Sequence, residues 1–255
     1  MFPLRDDIRS ERIPIVNYSL IAACVLVYGL QMNDPGELVE QFGMIPARLS
    51  HPDADLIVQT QQGVQTPNGI ELVSAERHIP KSVFHPFTTV LSCVFLHGSI
   101  MHLVGNIWFL YIFGDNVEDR LGRVGYLAFY LLGGIAASLT HFAFQPESPI
   151  PTIGASGAVA AVMGAYAWLY PHAKVTTLIP IIFLLQLIVV PAPLFLGIWF
   201  GIQLIQGTFA IGNVAAAGVA WWAHAGGFAF GLGIAWLLGN PDRAQRSRVQ
   251  VMRIP

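Results

Sequence analysis

The sequence predicts an all-α polytopic membrane protein with six transmembrane helices. Three observations predict it. Of 255 residues, 54% are hydrophobic and only 11% charged, whereas soluble domains carry roughly 25% charged residues. Apolar stretches close to the ~20 residues that cross a hydrocarbon core recur along the chain. From Val175 to Pro241 there is no Asp, Glu, Lys or Arg, a run too long for one helix.

Residues 1–14 mix acids and bases and read as a cytoplasmic N-terminal segment. The apolar run Ile15–Met32 has no small-residue cleavage signature and exceeds a signal-peptide core, so it is taken as a retained first span. Residues 33–83 are polar and rich in turn formers, and 84–98 (FHPFTTVLSCVFLHG) are apolar but short. Together 33–98 form a long external loop with an interfacial or partly inserted segment. Span two covers 99–117 and ends in Asp115, Glu118, Asp119 and Arg120, which anchor its cytoplasmic end. Span three is 124–144, and span four, 155–170, stops at Pro171. Pro191 and Pro193 divide the uncharged run once and Gly207–Asn213 divides it again, giving span five at 193–210 and span six at 215–239. Residues 175–190 form either a seventh span or a hairpin against the bundle. The transmembrane domain is thus 15–240, and 241–255 is a basic cytoplasmic tail.

Charge distribution supports six spans. Arg5, Arg9 and Arg12 precede span one, Arg120 and Arg123 separate spans two and three, Lys174 follows span four, and four arginines follow span six. The connections 145–153 and 211–214 carry no Lys or Arg. The positive-inside rule then places both termini in the cytoplasm. A seventh span would put the basic tail outside. The expected location is the cell (plasma) membrane.

A net charge of −2 gives no reason to expect nucleic-acid binding. Cys24 lies mid-span, which argues against a disulfide framework, and no Cys/His spacing matches a structural zinc site. Neither metal nor cofactor is expected.

Four polar positions carry the chemistry. His102 and Asn106 lie in the outer half of span two, Ser156 opens span four, and His224 sits about nine residues into span six, or roughly 14 Å deep. Span four is short enough to start below the surface, beside His224. Ser156, Ala160 and Gly164 form one small-residue ridge, and Ala220, His224, Gly227 and Gly231 form another. Such ridges let membrane helices pack backbone to backbone. A serine hydroxyl needs a base, and neutral histidine is the usual one near pH 7. An acyl intermediate needs donors for its oxyanion. His102 and Asn106, one turn apart, can supply them, together with the Ser156 amide at a helix start. Glu147, the one carboxylate between Asp119 and Asp242, is an outside candidate for a third member; a Ser–His dyad is expected.

GASG at 154–157, HLVGN at 102–106 and AHAGGFAFG at 223–231, in that membrane setting, resemble the rhomboid proteases. FGDNVEDRLG at 113–122 and WFGIQLIQG at 199–207 add to the resemblance, which covers most of 84–240. It implies a six-helix rhomboid-like bundle with a water-filled site. It also implies an intramembrane serine endopeptidase with Ser156 as nucleophile, His224 as base, and His102 and Asn106 as oxyanion donors. The substrates would be single-span or otherwise membrane-anchored proteins, cut in or near the transmembrane helix. Two departures stand out. Where some members have an aromatic that stacks on the histidine, this chain has Ala160, leaving Trp221 or Trp222 to orient His224. A Trp-Arg pair found in the first loop of some members is also missing.

The blander readings are a packing role for Ser156, helix cross-linking by His102 and Asn106, an interfacial His97 and a solvated His141. A transporter would show matched halves and midplane charges, and neither is visible. A catalytically inactive rhomboid-like protein that binds membrane clients would be expected to lack Ser156 or His224, and both are present.

Overall fold

The computed structural model describes residues 2–33, 36–66, 69–79, 81, 84–181, 184–210 and 219–239. Strand β1 (Phe2–Asp6) precedes helices α1 (Ile15–Gln31), α2 (Glu37–Phe42) and α3 (Pro46–Ser50). A hairpin of β2 (Leu56–Thr66) and β3 (Gly69–Ile79) follows. Two 3₁₀ turns, Pro86–Thr88 and Cys93–Phe95, flank the short α4 (Thr89–Ser92). The main bundle is α5 (Ile100–Leu121), α6 (Arg123–Phe144), α7 (Ser156–Leu169), α8 (Ala192–Ala210) and α9 (Trp221–Leu237), with strands β4 (Lys174–Ile181) and β5 (Leu184–Pro191) between α7 and α8.

The first five expected spans match α1, α5, α6, α7 and α8 closely. The sixth starts later than expected, at Trp221; 211–218, where its first residues were placed, lie outside the described residues. Among the described residues, α6 and α8 are long and apolar enough to cross a membrane. α5 joins them if counted with the segment Pro86–Phe95, from which it is bent by 78°. α1 and α7 are shorter apolar helices. Large apolar side chains stay exposed along the outer faces, including Val124 and Leu132 on α6 and Leu194, Ile205 and Phe209 on α8. A surface of this kind is suited to lipid rather than water.

The all-α expectation needs correction. The molecule is mostly helical, but β1, β4 and β5 form an antiparallel sheet in the order β1-β4-β5, apart from the β2–β3 hairpin. Val175-Thr176-Thr177 and Ile188-Val189-Val190 are β-branched runs, stiff at χ1 and better suited to strands than helices. The described parts of 175–190 are therefore strands paired as in a hairpin, with Val175 opposite Val190 and Leu178 opposite Leu187.

α7 forms the centre of the bundle. Every residue from Gly157 to Tyr166 is buried, among α5, α6, α8 and α9. Its closest neighbour is α9. A Cβ added at Gly164, Gly227 or Gly231 would overlap the carbonyl oxygen of Phe228, Gly157 or Ala161, respectively, on the facing helix. The ridge that α7 presents to α9 is thus Gly157, Ala161 and Gly164, one position along from the expected Ser156 and Ala160.

At the other end of α5, Glu118 accepts hydrogen bonds from the Val16 and Asn17 amides, at 3.1 and 2.7 Å. A carboxylate there satisfies free N–H groups at the start of α1 and complements its dipole. Asn17 donates to the Leu110 carbonyl at 3.0 Å and accepts from the Tyr126 hydroxyl at 2.8 Å, tying α1 to α5 and α6.

β1 lies against the same end. Trp108 Nε1 donates to the Pro3 carbonyl at 2.6 Å, and the Asp6 carboxylate accepts from the Tyr166 hydroxyl and from Asn116 Nδ2. Burial pushes the Asp6 carboxyl up to about 7, against the opposing effect of the Tyr166 hydrogen bond. A carboxyl raised above its unfolded value of about 3.9 stabilises the docked strand most below that value, and the contribution is lost as pH rises through 7. Amide protection in β1, corrected for intrinsic exchange, is expected to fall between pH 5 and 8.5, and Asp6→Asn should flatten that dependence. Constant protection in the unsubstituted protein would refute this.

Candidate active site

Ser156 is the first residue of α7. The turn before it depends on Gly154, whose φ of +125° disfavours any side chain and whose missing Cβ leaves room for the His102 ring. The Gly154 amide donates to the Cys93 carbonyl at 2.9 Å, fixing the turn to the segment before α5.

His224 lies in the first turn of α9, not nine residues into a span. Serine and histidine therefore meet because two helices begin at the same end of the bundle and touch through glycine. His224 Nε2 is 2.7 Å from Ser156 Oγ. Its Nδ1 is 2.8 Å from Gln203 Oε1 on α8, a residue that the sequence reading passed over. An amide in a long uncharged run was the available signal. The Trp199 ring lies 5.8 Å from the imidazole, and Trp221 meets it edge-on at 6.2 Å. Trp222, the other expected orienter, stacks on Phe144 instead, with ring centroids 3.7 Å apart.

His102 and Asn106 lie on the first two turns of α5, which Ser99 caps by accepting from the His102 amide at 3.1 Å. Both line a cavity of about 770 Å³ that also reaches Ser156, His224 and His141. Asn106 Nδ2 is buried and has no protein partner among the described residues, leaving it free to donate. His97, expected at the interface, is 1% exposed. Gln31 pairs with both its backbone amide and its carbonyl, and its ring meets His102 edge-on at 5.3 Å. His141 is also buried, on the cavity wall, rather than solvated. Glu147 pairs at 3.0 Å with the exposed His51, away from the imidazole of His224. Among the described residues no group of three or more His, Cys, Asp or Glu could hold a metal. Both cysteines are free thiols.

Apolar outer faces and helices long and apolar enough to cross a bilayer make this a helical membrane protein. The Rhomboid domain family model matches residues 85–241, more than half of the chain, and the protein belongs to the rhomboid family. It is 27% identical over 169 residues to Rhomboid protein 1, mitochondrial, of Saccharomyces cerevisiae, covering 63% of this chain and 44% of the relative. It is 31% identical over 159 residues to RHOMBOID-like protein 12, mitochondrial, of Arabidopsis thaliana, covering 52% and 45%. Rhomboid protease GluP of Bacillus subtilis is 40% identical over 76 residues, covering 30% and 14%. The chain spans less than half the length of these curated relatives.

Proposed function

We propose that this rhomboid-family protein is an intramembrane serine endopeptidase that cleaves membrane-anchored proteins in or near their transmembrane helices. The observation that carries the proposal is the 2.7 Å contact between His224 Nε2 and Ser156 Oγ on the wall of a cavity that His102 and Asn106 also line. The similarity to a relative named as a protease, GluP, agrees with it. In this reading His224 takes the Ser156 proton as Oγ bonds to the scissile carbonyl carbon, and the carbonyl π pair moves onto oxygen. The oxyanion is held by the Ser156 amide at the start of α7 and by His102 and Asn106. The carbonyl re-forms as the C–N bond breaks, His224 passes the proton to the departing amine, and water, deprotonated by His224, then hydrolyses the ester on Ser156 Oγ to free the enzyme. Because Ser156 and His224 are both present and in contact, this reading is favoured over an inactive client-binding protein.

The proposed domain remains 15–240, between terminal segments 1–14 and 241–255, the last of which lies outside the described residues. Six spans would put both termini on one side, the cytoplasmic one by the charge pattern. Two of these relatives are named as mitochondrial, which lends the cell-membrane expectation no support. Labelling with a fluorophosphonate tests the central claim. The purified protein should label and Ser156→Ala should not; a folded protein that stays unlabelled would overturn the proposal.

Loss of one oxyanion donor has a smaller effect than loss of the nucleophile. Asn106→Ala and His102→Ala are each expected to lower kcat on a single-span substrate by roughly 10²–10³, while Ser156 still labels slowly. Full activity in both variants would leave the backbone amide as the sole donor.

A further inference from the structure

Gln203 stands on α8, a helix that supplies neither the serine nor the histidine, yet it is 5% exposed and directed at the imidazole. We propose that Gln203 is a positioning residue that fixes the tautomer and orientation of His224, making the dyad a Ser–His–Gln relay without a buried charge. The inference rests on the reading of Ser156 and His224 as nucleophile and base.

The hydrogen-bond inventory forces the assignment. Gln203 Nε2 donates to the Trp199 carbonyl at 3.1 Å. That carbonyl can only accept, so the amide nitrogen must face it and the amide oxygen must face His224. Oε1 in turn can only accept, so His224 Nδ1 must carry the proton in this 2.8 Å bond. In the neutral imidazole Nε2 is then left with its lone pair directed at Ser156 Oγ, 2.7 Å away, as a general base requires. Turning the amide over would oppose two carbonyl oxygens at Trp199 and would point an NH₂ group at Nδ1, favouring the wrong tautomer.

The chemistry of the membrane explains why an amide suits this position. Serine hydrolases in water commonly use a buried carboxylate to hold the imidazole. An ionised acid inside a bilayer is expensive. A glutamine supplies the same acceptor to Nδ1–H at no cost in charge. Packing holds it in place: about one turn before Gln203, Phe200 stacks on Phe228 at 4.6 Å and Trp199 lies 6.2 Å from the same ring, fixing α8 to α9 next to the contact. Ala160, which leaves His224 without a stacking aromatic from α7, makes a support from α8 the more necessary.

The test reads the tautomer itself. The full chain, labelled with ring-¹⁵N histidine and purified in detergent, is compared by NMR with His224→Ala so that the His224 signals are assigned by difference. The unsubstituted protein should show a protonated Nδ1 and an unprotonated Nε2. Gln203→Met, similar in length but without the amide, should give mixed tautomers and lower kcat by roughly 10–100-fold, with KM changed less than about twofold. Gln203→Glu, whose carboxyl offers Nδ1–H an acceptor oxygen even when protonated, should recover both the tautomer and most of kcat. A protonated Nε2 in the unsubstituted protein, or an unchanged tautomer and kcat in Gln203→Met, would overturn the inference. If Gln203→Met does not fold, the unsubstituted spectrum and Gln203→Glu decide. Failure of the unsubstituted protein to label with fluorophosphonate would count against the protease reading instead, because the tautomer is read without any turnover.

Discussion

Ser156→Ala and His224→Ala are each expected to lower turnover of a single-span substrate by on the order of 10⁶, and the double variant should be little worse than either. The non-additivity is the informative part. Without the base, the serine hydroxyl keeps its proton and is a poor nucleophile; without the serine, the base has nothing to activate. Two independent contributions would multiply, whereas parts of one device fail together. In the proposed mechanism the 2.7 Å contact joins them in one device. Single-turnover measurements on the two single variants and the double variant check this. Ordinary turnover by Ser156→Ala protein would remove the serine from the mechanism.

Gly231→Val should have the largest effect on the fold. Any Cβ at Gly231 meets the backbone carbonyl of Ala161 well inside van der Waals contact, and the neighbouring Ala161 backbone atoms lie close behind it. Backbone cannot rotate aside as a side chain can, so α7 and α9 must separate. We expect a loss of at least about 4 kcal/mol, at the extreme of single substitutions, or a fall on the order of 10 °C in Tm. Separation also draws His224 from Ser156, so fluorophosphonate labelling should vanish with stability. Gly233→Ala is the matched control: the same helix two residues on, with nothing within 4 Å of an added Cβ. It should fold and label normally. Equal behaviour of the two variants would mean that the α7–α9 contact is not the tight one described.

The sequence made the bundle legible wherever apolar length and small-residue spacing coincide. α6 follows from an uninterrupted apolar run, and the α7–α9 contact from Gly227 and Gly231. The pairing of Ser156 with His224 was also legible, although for a partly mistaken reason: a depth estimate assumed that span six begins at 215, and α9 begins at Trp221. The hairpin at 174–191 was ambiguous because a short apolar run fits a buried helix and a strand equally well by periodicity. The polar stretch 33–83 reads as an external loop with room for short structure of its own, and the pairing of β2 with β3 depends on partners that local pattern does not reveal. Asp6 meeting Tyr166 joins residues 160 apart, and no motif announces such a contact. Gln203 was hidden differently: glutamines also occur at 186 and 206 in the same run, and only the facing of α8 distinguishes the one that reaches His224.

The pairing of β1 with β4 has a consequence for how the chain is made. Phe2 lies opposite Leu178 and Asp6 opposite Val175, so the first strand has no partner until about 170 further residues exist. At synthesis rates of roughly 5–20 residues per second, that delay is about 10–35 s. Throughout it, Phe2–Asp6 remain an unpaired strand edge, available to other strands or to a chaperone. Closing so long a loop costs entropy that the sheet recovers only when β4 arrives. Late pairing makes the sheet a closing step, joining β1 to a bundle whose helices α1, α5, α6 and α7 have already been synthesised.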